Sequence, residues 1–361
     1  PLPGTKAPIS TGLLLPAPDG DLEAGRGEHP LPTDLPRSGP PGRIGLPVRI
    51  GLHRRPPGVS SRPARKRCHD GAMTTALDDL VALLDLEAID DDIFRGRSPA
   101  EERQRVFGGQ VAAQALVAAG RTVPDDRPVH SLHAYFLRPG DPRQPIVYLV
   151  DRIREGRSFT TRRVVAVQHG QPIFNLSASF HRHEEGIDHQ VPRPEVPDPE
   201  TLAPFSEQMA PYAELLGPHL DRPRPIDHRF VDPPSLATIG TPRSARLRLW
   251  LRADGRLPED HLVQACVLAY ASDLTLLDTV LIGHGLHWSD RRLMGASLDH
   301  AMWFHRPFRA DEWLLYDQSS PTAHGARALA EGAVYDRAGQ RVATVVQEGL
   351  LRLRAERPPR E

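Results

Sequence analysis

The 361-residue chain is short of several things, and each shortage excludes a class of protein. It has two cysteines, Cys68 and Cys266, too few for a disulfide framework and not spaced as C-x-x-C. Ala265 to Ala271 is among its longest unbroken apolar runs, far below the roughly 18 residues of a membrane span. Neither sign of charge dominates: 45 Lys+Arg against 46 Asp+Glu leave a net charge of −1. That balance argues against a protein devoted to nucleic acid or an anionic membrane. No G-x-S-x-G elbow is present, since Gly295-Ala-Ser-Leu-Asp299 and Gly156-Arg-Ser-Phe-Thr160 both fail at the last glycine, so a serine hydrolase is not expected. His284-Gly-Leu-His287 lacks further ligands at convincing spacing, and no metal is expected. A globular protein of two or three compact units, soluble and cytoplasmic, is the expectation that remains.

Aromatic residues and methionine are missing altogether from residues 1–72, which hold 14 Pro, 11 Gly and a net charge of +5. Such a segment cannot bury enough apolar surface to offset its backbone entropy, so a disordered leader is expected. Its basic run Arg62-Pro-Ala-Arg-Lys-Arg67 reads as a solvated charge cluster. Met73 is the first methionine, followed at once by the first helical apolar spacing, Thr75 to Leu84. Folding, and with it translation, is expected to begin there.

Nine prolines crowd residues 184–228, around one amphipathic island from Glu207 to Leu220. Proline denies backbone donors to helix and sheet, so this stretch reads as a linker between domains at 73–183 and 229–361. The two domains repeat each other. Ala134-Tyr-Phe-Leu-Arg-Pro139 matches Met302-Trp-Phe-His-Arg-Pro307 at an offset of 168, and Gly170-Gln171 matches Gly339-Gln340 at 169. A repeat of this length indicates duplication of a whole domain rather than a solenoid.

Each half begins with a helix apolar on most faces, Phe107–Val123 and then Gln264–Val280, which reads as buried. β-branched, partly alternating strands follow in succession: 145–153, 160–168 and 172–180, then 312–319, 326–336 and 341–353. Strands in succession favour an α+β fold with a curved sheet around one helix, because doubly wound folds need strands that alternate with helices.

Three motifs in the first half are Val106-Phe-Gly-Gly-Gln-Val-Ala-Ala-Gln-Ala-Leu116, His130-Ser-Leu-His-Ala-Tyr-Phe-Leu-Arg-Pro-Gly140 and Gly156-Arg-Ser-Phe-Thr-Thr-Arg-Arg163. The second half carries Leu268-Ala-Tyr-Ala-Ser-Asp-Leu274, Leu298-Asp-His-Ala-Met-Trp-Phe-His-Arg-Pro-Phe308 and Val345-Val-Gln-Glu-Gly349. Together these resemble the acyl-CoA thioesterase II family over about residues 75–355. The resemblance implies a double hotdog, two curved antiparallel sheets each wrapped around a long central helix. It also implies hydrolysis of acyl-CoA to a free acid and CoA, with no metal or organic cofactor, and a possible homodimer or higher homo-oligomer.

In that family an Asp, a Thr or Ser, and a Gln position a water. Carried over by motif, these are Asp273, Ser297 and Gln347. The chemistry is sound without the name: a carboxylate accepts the water's proton, an amide and a hydroxyl orient it, and helix-terminal amides hold the developing oxyanion. The candidate substrate-binding residues are Gly108, Gly109 and Gln110 at the first helix start, Arg157 and Ser158 in the Gly156 turn, and His300. Arg162 and Arg163 are weaker candidates for CoA phosphates, alternating charges on a strand being more often a solvated face. Cys266 reads as inert packing.

Aligning the helices at an offset of 157 sets Leu116 against Asp273 and Cys266 against Gly109, while Ala178 corresponds to Gln347. One half keeps the glycines and the other the carboxylate. The expectation is one composite site, with amides from the first half and three polar side chains from the second, beside one dead equivalent. The alternatives are a double-hotdog enoyl-CoA hydratase or dehydratase, which would set a His and an Asp on the Cα–Cβ bond, and a silent acyl-CoA-binding protein.

Overall fold

The computed structural model describes residues 75–99 and 105–354. The expected leader, its basic run, Cys68 and Met73 lie outside the described residues. Helix α1 (Ala76–Leu84) opens with a capping box: Thr75 Oγ1 accepts from Asp78 N–H at 3.1 Å, and Asp78 accepts from Thr75 N–H at 3.0 Å. Its Leu77, Leu80 and Leu84 are buried at helical spacing.

The first half continues with β1 (Glu87–Asp90), β2 (Ile93–Gly96), α2 (Gly108–Gly120), β3 (Val129–Phe136), β4 (Ile146–Glu155), β5 (Phe159–Gln168) and β6 (Gln171–His181). Every residue of α2 from Gly108 to Ala119 is buried, so its small side chains bring the enclosing strands close. A short-helix stretch, including α3 (Phe205–Met209) and α4 (Ala213–Leu216), leads to β7 (Ile226–Phe230) and β8 (Arg246–Ala253). The second half then adds α5 (His261–Ser272), α6 (Asp278–His284), β9 (Leu293–Ser297), β10 (Asp299–Phe304), β11 (Leu314–His324), β12 (Arg327–Tyr335) and β13 (Arg341–Leu353).

The strands form one antiparallel sheet in the order β1-β2-β4-β5-β6-β3-β10-β13-β12-β11-β8-β7, with β9 paired to β13. The fold is therefore the expected α+β double hotdog, and its two halves are joined edge to edge where β3 meets β10. Leu132 lies opposite Met302 there, and Ala134 opposite His300. The 168-residue offset carries each of these pairs onto the other, so the seam has the self-complementary register of a two-fold interface. Helices α2 and α5 cross the same pseudo-dyad antiparallel. At one end the Cβ direction of Gly108 points at Asp273, and at the other that of Gly120 points at Leu262.

The proline-rich stretch is built into the second half rather than strung between domains. Phe205, Met209 and Leu216 are buried, Arg224 stacks on the Phe205 ring at 4.0 Å, and Trp250 Nε1 donates to the Pro197 carbonyl at 2.9 Å. Arg337 reaches Asp198 and Glu200 at 2.7 and 2.8 Å. The amphipathic island is broken into short helices by Pro211 and Pro218, which sit near helix starts where a missing N–H is tolerated.

Candidate active site

The sequence spacing predicts one helical run through Asp273, but α5 stops at Ser272. Asp273 is its C-cap (φ −87°, ψ −1°), which turns the carboxyl out of the helix toward the start of α2. The helix start is fixed by Asp260, whose carboxylate accepts from the N–H of Leu262 at 2.8 Å. Strand β13 brings Gln347, opposite Ala330 of β12, to the same place, and β9 ends there on Ser297, opposite Gly349.

These three side chains converge. Gln347 Nε2 donates to Asp273 Oδ1 at 2.6 Å and to Ser297 Oγ at 2.9 Å. Gln347 is fully buried, and its Oε1 has no hydrogen-bond partner among the described residues. A buried acceptor left open costs free energy, and such groups mark places where a ligand or water belongs. Burial pushes the Asp273 carboxyl up to about 6, against the opposing hydrogen bonds from Gln347 and from the Gly109 N–H.

The glycines at the start of α2 are required by contact. A Cβ on Gly108 would stand 2.7 Å from Asp273 Oδ2 and 2.9 Å from the Phe136 ring. One on Gly109 would stand 2.6 Å from the Tyr270 carbonyl oxygen. Phe107, the residue before the helix, packs edge-on against Tyr270 at 5.1 Å. The first half thus contributes backbone and the second half side chains. In this structure the Gly109 N–H is given to the Asp273 carboxylate. The corresponding residues of the other half-site, Leu116 and Ala178, are both buried and apolar.

The remaining candidates are placed elsewhere. Gln110 is buried and donates to the Arg97 carbonyl and to Ser98 Oγ at 3.1 and 3.2 Å, so it ties down the chain ahead of α2. Arg157 and Ser158 do not reach the trio. They sit in the β4–β5 turn, where Ser158 bonds Glu184, and in the next strand Arg162 bonds Thr122 past the far end of α2. The pseudo-symmetry explains this, because that turn serves the half whose polar site residues are missing. Arg163 is paired with Asp151. His300 lies behind the trio: its Nε2 is 2.9 Å from Ser272 Oγ, which itself donates to Ala269, so the imidazole donates. Burial pushes His300 down to about 4, which keeps it neutral, and it props the residue next to Asp273.

Two cavities flank the trio. One, of about 230 Å³, is lined by Arg105, Gly108, Phe136, Arg138, Phe174 and Ser297 among others. The second, of about 130 Å³, lies beyond Tyr270 and Leu274 and is walled by Phe205, Met209, Ile226 and Trp288. Sequence reasoning missed both the second wall, because its proline content reads as linker, and Arg105, which precedes the quoted motif. Among the described residues no group of three or more His, Cys, Asp or Glu could hold a metal ion.

The family described as acyl-CoA thioesterase matches residues 224–350, and that described as the acyl-CoA thioesterase N-terminal domain matches 97–181. Acyl-coenzyme A thioesterase 8 of Mus musculus is 41% identical over 290 residues, covering 77% of this chain and 90% of its own length. Acyl-CoA thioesterase 2 of Haemophilus influenzae is 40% identical over 286 residues, covering 78% of this chain and 99% of its own. The crystal structure of an acyl-CoA thioesterase II from Mycobacterium marinum superposes with a TM-score of 0.64 at 46% identity, over 76% of this chain and 99% of that one. With both halves matched, and in a geometry shared with a solved member, the chain belongs to the acyl-CoA thioesterase family.

Proposed function

We propose that this chain hydrolyses acyl-CoA thioesters to a free carboxylic acid and CoA, through a water held by Asp273, Gln347 and Ser297. The observation that carries this reading is the Gln347 amide, which bridges the buried Asp273 carboxylate and Ser297 while its own oxygen stays open. Both N–H bonds of that amide are used, so Oε1 is fixed as an acceptor for one hydrogen of the water. Asp273 accepts the other as general base, and a carboxyl lifted to about 6 is a better base than an ordinary aspartate while still ionised at neutral pH. Ser297 holds the amide in the orientation this requires.

The water oxygen attacks the thioester carbonyl carbon as its proton passes to Asp273. Negative charge leaves the carboxylate and appears on the former carbonyl oxygen. The Gly109 N–H, no longer held by an anion, turns its donor capacity to that oxygen, helped by the neighbouring first-turn amides of α2. Collapse of the tetrahedral intermediate breaks the C–S bond, and the proton on Asp273 goes to the departing sulfur. Acid, thiol and the ionised Asp273 are regenerated.

Release of free thiol from saturated acyl-CoAs tests the reading, with Asp273→Asn expected to abolish it. Absence of thiol release beside hydration of enoyl-CoA would instead favour the hydratase. A cytoplasmic location and homo-oligomeric assembly belong to the same reading. Among the described residues no helix is long and apolar enough to cross a membrane. The β3–β10 seam already satisfies one two-fold interface within the chain, which leaves other faces for any assembly.

A further inference from the structure

The larger cavity has an unusual charge pattern. Among the described residues its lining contains two guanidiniums, Arg105 and Arg138, and no carboxylate. Arg105 is half-buried and has no hydrogen-bond or ion-pair partner among the described residues. Burial lowers its pKa. Arg138 is exposed and spends one nitrogen on the Pro172 carbonyl at 2.7 Å, with no further partner for its fork among the described residues. A partly desolvated cation without a counter-charge is costly to keep, and a guanidinium is suited to recognising phosphate oxygens in pairs. The smaller cavity differs: it contains Asp278, and its Arg224 is already bound to the carbonyls of His219, Leu220 and Arg222.

We propose that Arg105 and Arg138 form an anion clamp for the phosphate groups of the CoA moiety, so that the CoA arm leaves the trio through the cavity on the Ser297 side. The proposal rests on the hydrolase reading above and gives it a direction: the acyl chain is then left to the cavity beyond Tyr270. The same guanidiniums would also suit the carboxylate of the product acid, so the test must separate the two anions.

The test compares one acyl chain carried on CoA and on pantetheine, which lacks those phosphates, in wild type, Arg105→Ala and Arg138→Ala. For acyl-CoA, KM is expected to rise about tenfold in Arg105→Ala, the loss of one charge-assisted contact. For acyl-pantetheine it should move by less than about twofold, so the preference for the CoA ester collapses. In wild type, added salt should raise KM for acyl-CoA and leave that for acyl-pantetheine unchanged. Equal rises on both thioesters would place Arg105 at the thioester or product carboxylate and overturn the clamp; no rise on either would do the same. Titration with CoA alone keeps the clamp testable if neither thioester is cleaved. About tenfold weaker binding in Arg105→Ala supports it and unchanged binding overturns it, whereas the missing cleavage counts against the hydrolase reading.

Discussion

Gln347 and Asp273 come from elements 74 residues apart, yet their side chains meet at 2.6 Å, and the same amide nitrogen reaches Ser297 at 2.9 Å. The contact decides which way round the amide stands. Asp273, ionised, can only accept, so the NH2 end must face it and the carbonyl end must face the cavity. A glutamate in place of Gln347 could not donate to Asp273, and its charge would oppose ionisation of the base. Gln347→Glu should therefore lower kcat by about 10²-fold or more and move the acid limb of the pH–rate profile upward, whereas Gln347→Ala, which removes only the hydrogen bond that holds the Asp273 carboxyl down, should lower kcat with a smaller upward shift. Profiles of kcat/KM for the two variants separate them; the same limb in both would show that no charge contact exists.

The pH dependence of the parent protein follows from the same carboxyl. With Asp273 held at about 6, the base of the proposed mechanism is protonated and inactive in acid. kcat/KM should climb tenfold per pH unit below about 6 and level off above it. An acid limb centred near 4 would mean that burial does not act on the group doing the chemistry.

Two glycines on α2 give an internal control. A Cβ added to Gly108 would stand 2.7 Å from Asp273 Oδ2, and one added to Gly120, at the opposite end, would run into the Leu262 side chain. Both Gly108→Ala and Gly120→Ala overpack the helix crossing and should cost about 1–3 kcal/mol of stability. Only Gly108→Ala displaces the carboxylate, so kcat should fall at least about 10²-fold there and stay near the parent value for Gly120→Ala. Thermal melts and steady-state kinetics on both variants check the pair.

Much of this was legible in the residues. The strands carry β-branched runs separated by Gly-containing turns, so β4 to β6, β12 and β13 fall within two residues of the expected bounds, while β11 runs five residues past its expected end. The duplication showed in Arg138-Pro139 and Arg306-Pro307, and the structure turns that offset into the β3–β10 seam. The trio was legible by resemblance and, for Asp273, by the cost of an acid in an apolar run. Two features were not legible. Periodicity carried the helix past Asp273, since Leu274, Leu276 and Leu277 continue the apolar pattern after the backbone has turned. And Arg157 matched a motif while lying at the wrong end of α2, because sequence distance in one half says nothing about which half-site has kept its polar groups.

A second buried carboxyl sits apart from the chemistry. Asp278 accepts from Trp288 Nε1 at 2.6 Å and from Ser235 Oγ at 3.2 Å, and burial still pushes it up to about 6. Folding raises this group above its ordinary value of 3.8, so its ionisation works against the folded state. The penalty is absent below pH 3.8, grows between there and about 6, and is complete above that. A shift of this size corresponds to ~2–3 kcal/mol. Asparagine keeps the acceptor for Trp288, and the Ser235 hydroxyl can turn to accept from the new amide. Asp278→Asn should therefore leave the melting temperature nearly unchanged at pH 4 and raise it by several degrees at pH 8. A lower melting temperature at pH 8 would mean that the two hydrogen bonds outweigh the buried charge, and the sign of the pH dependence would have to be reversed.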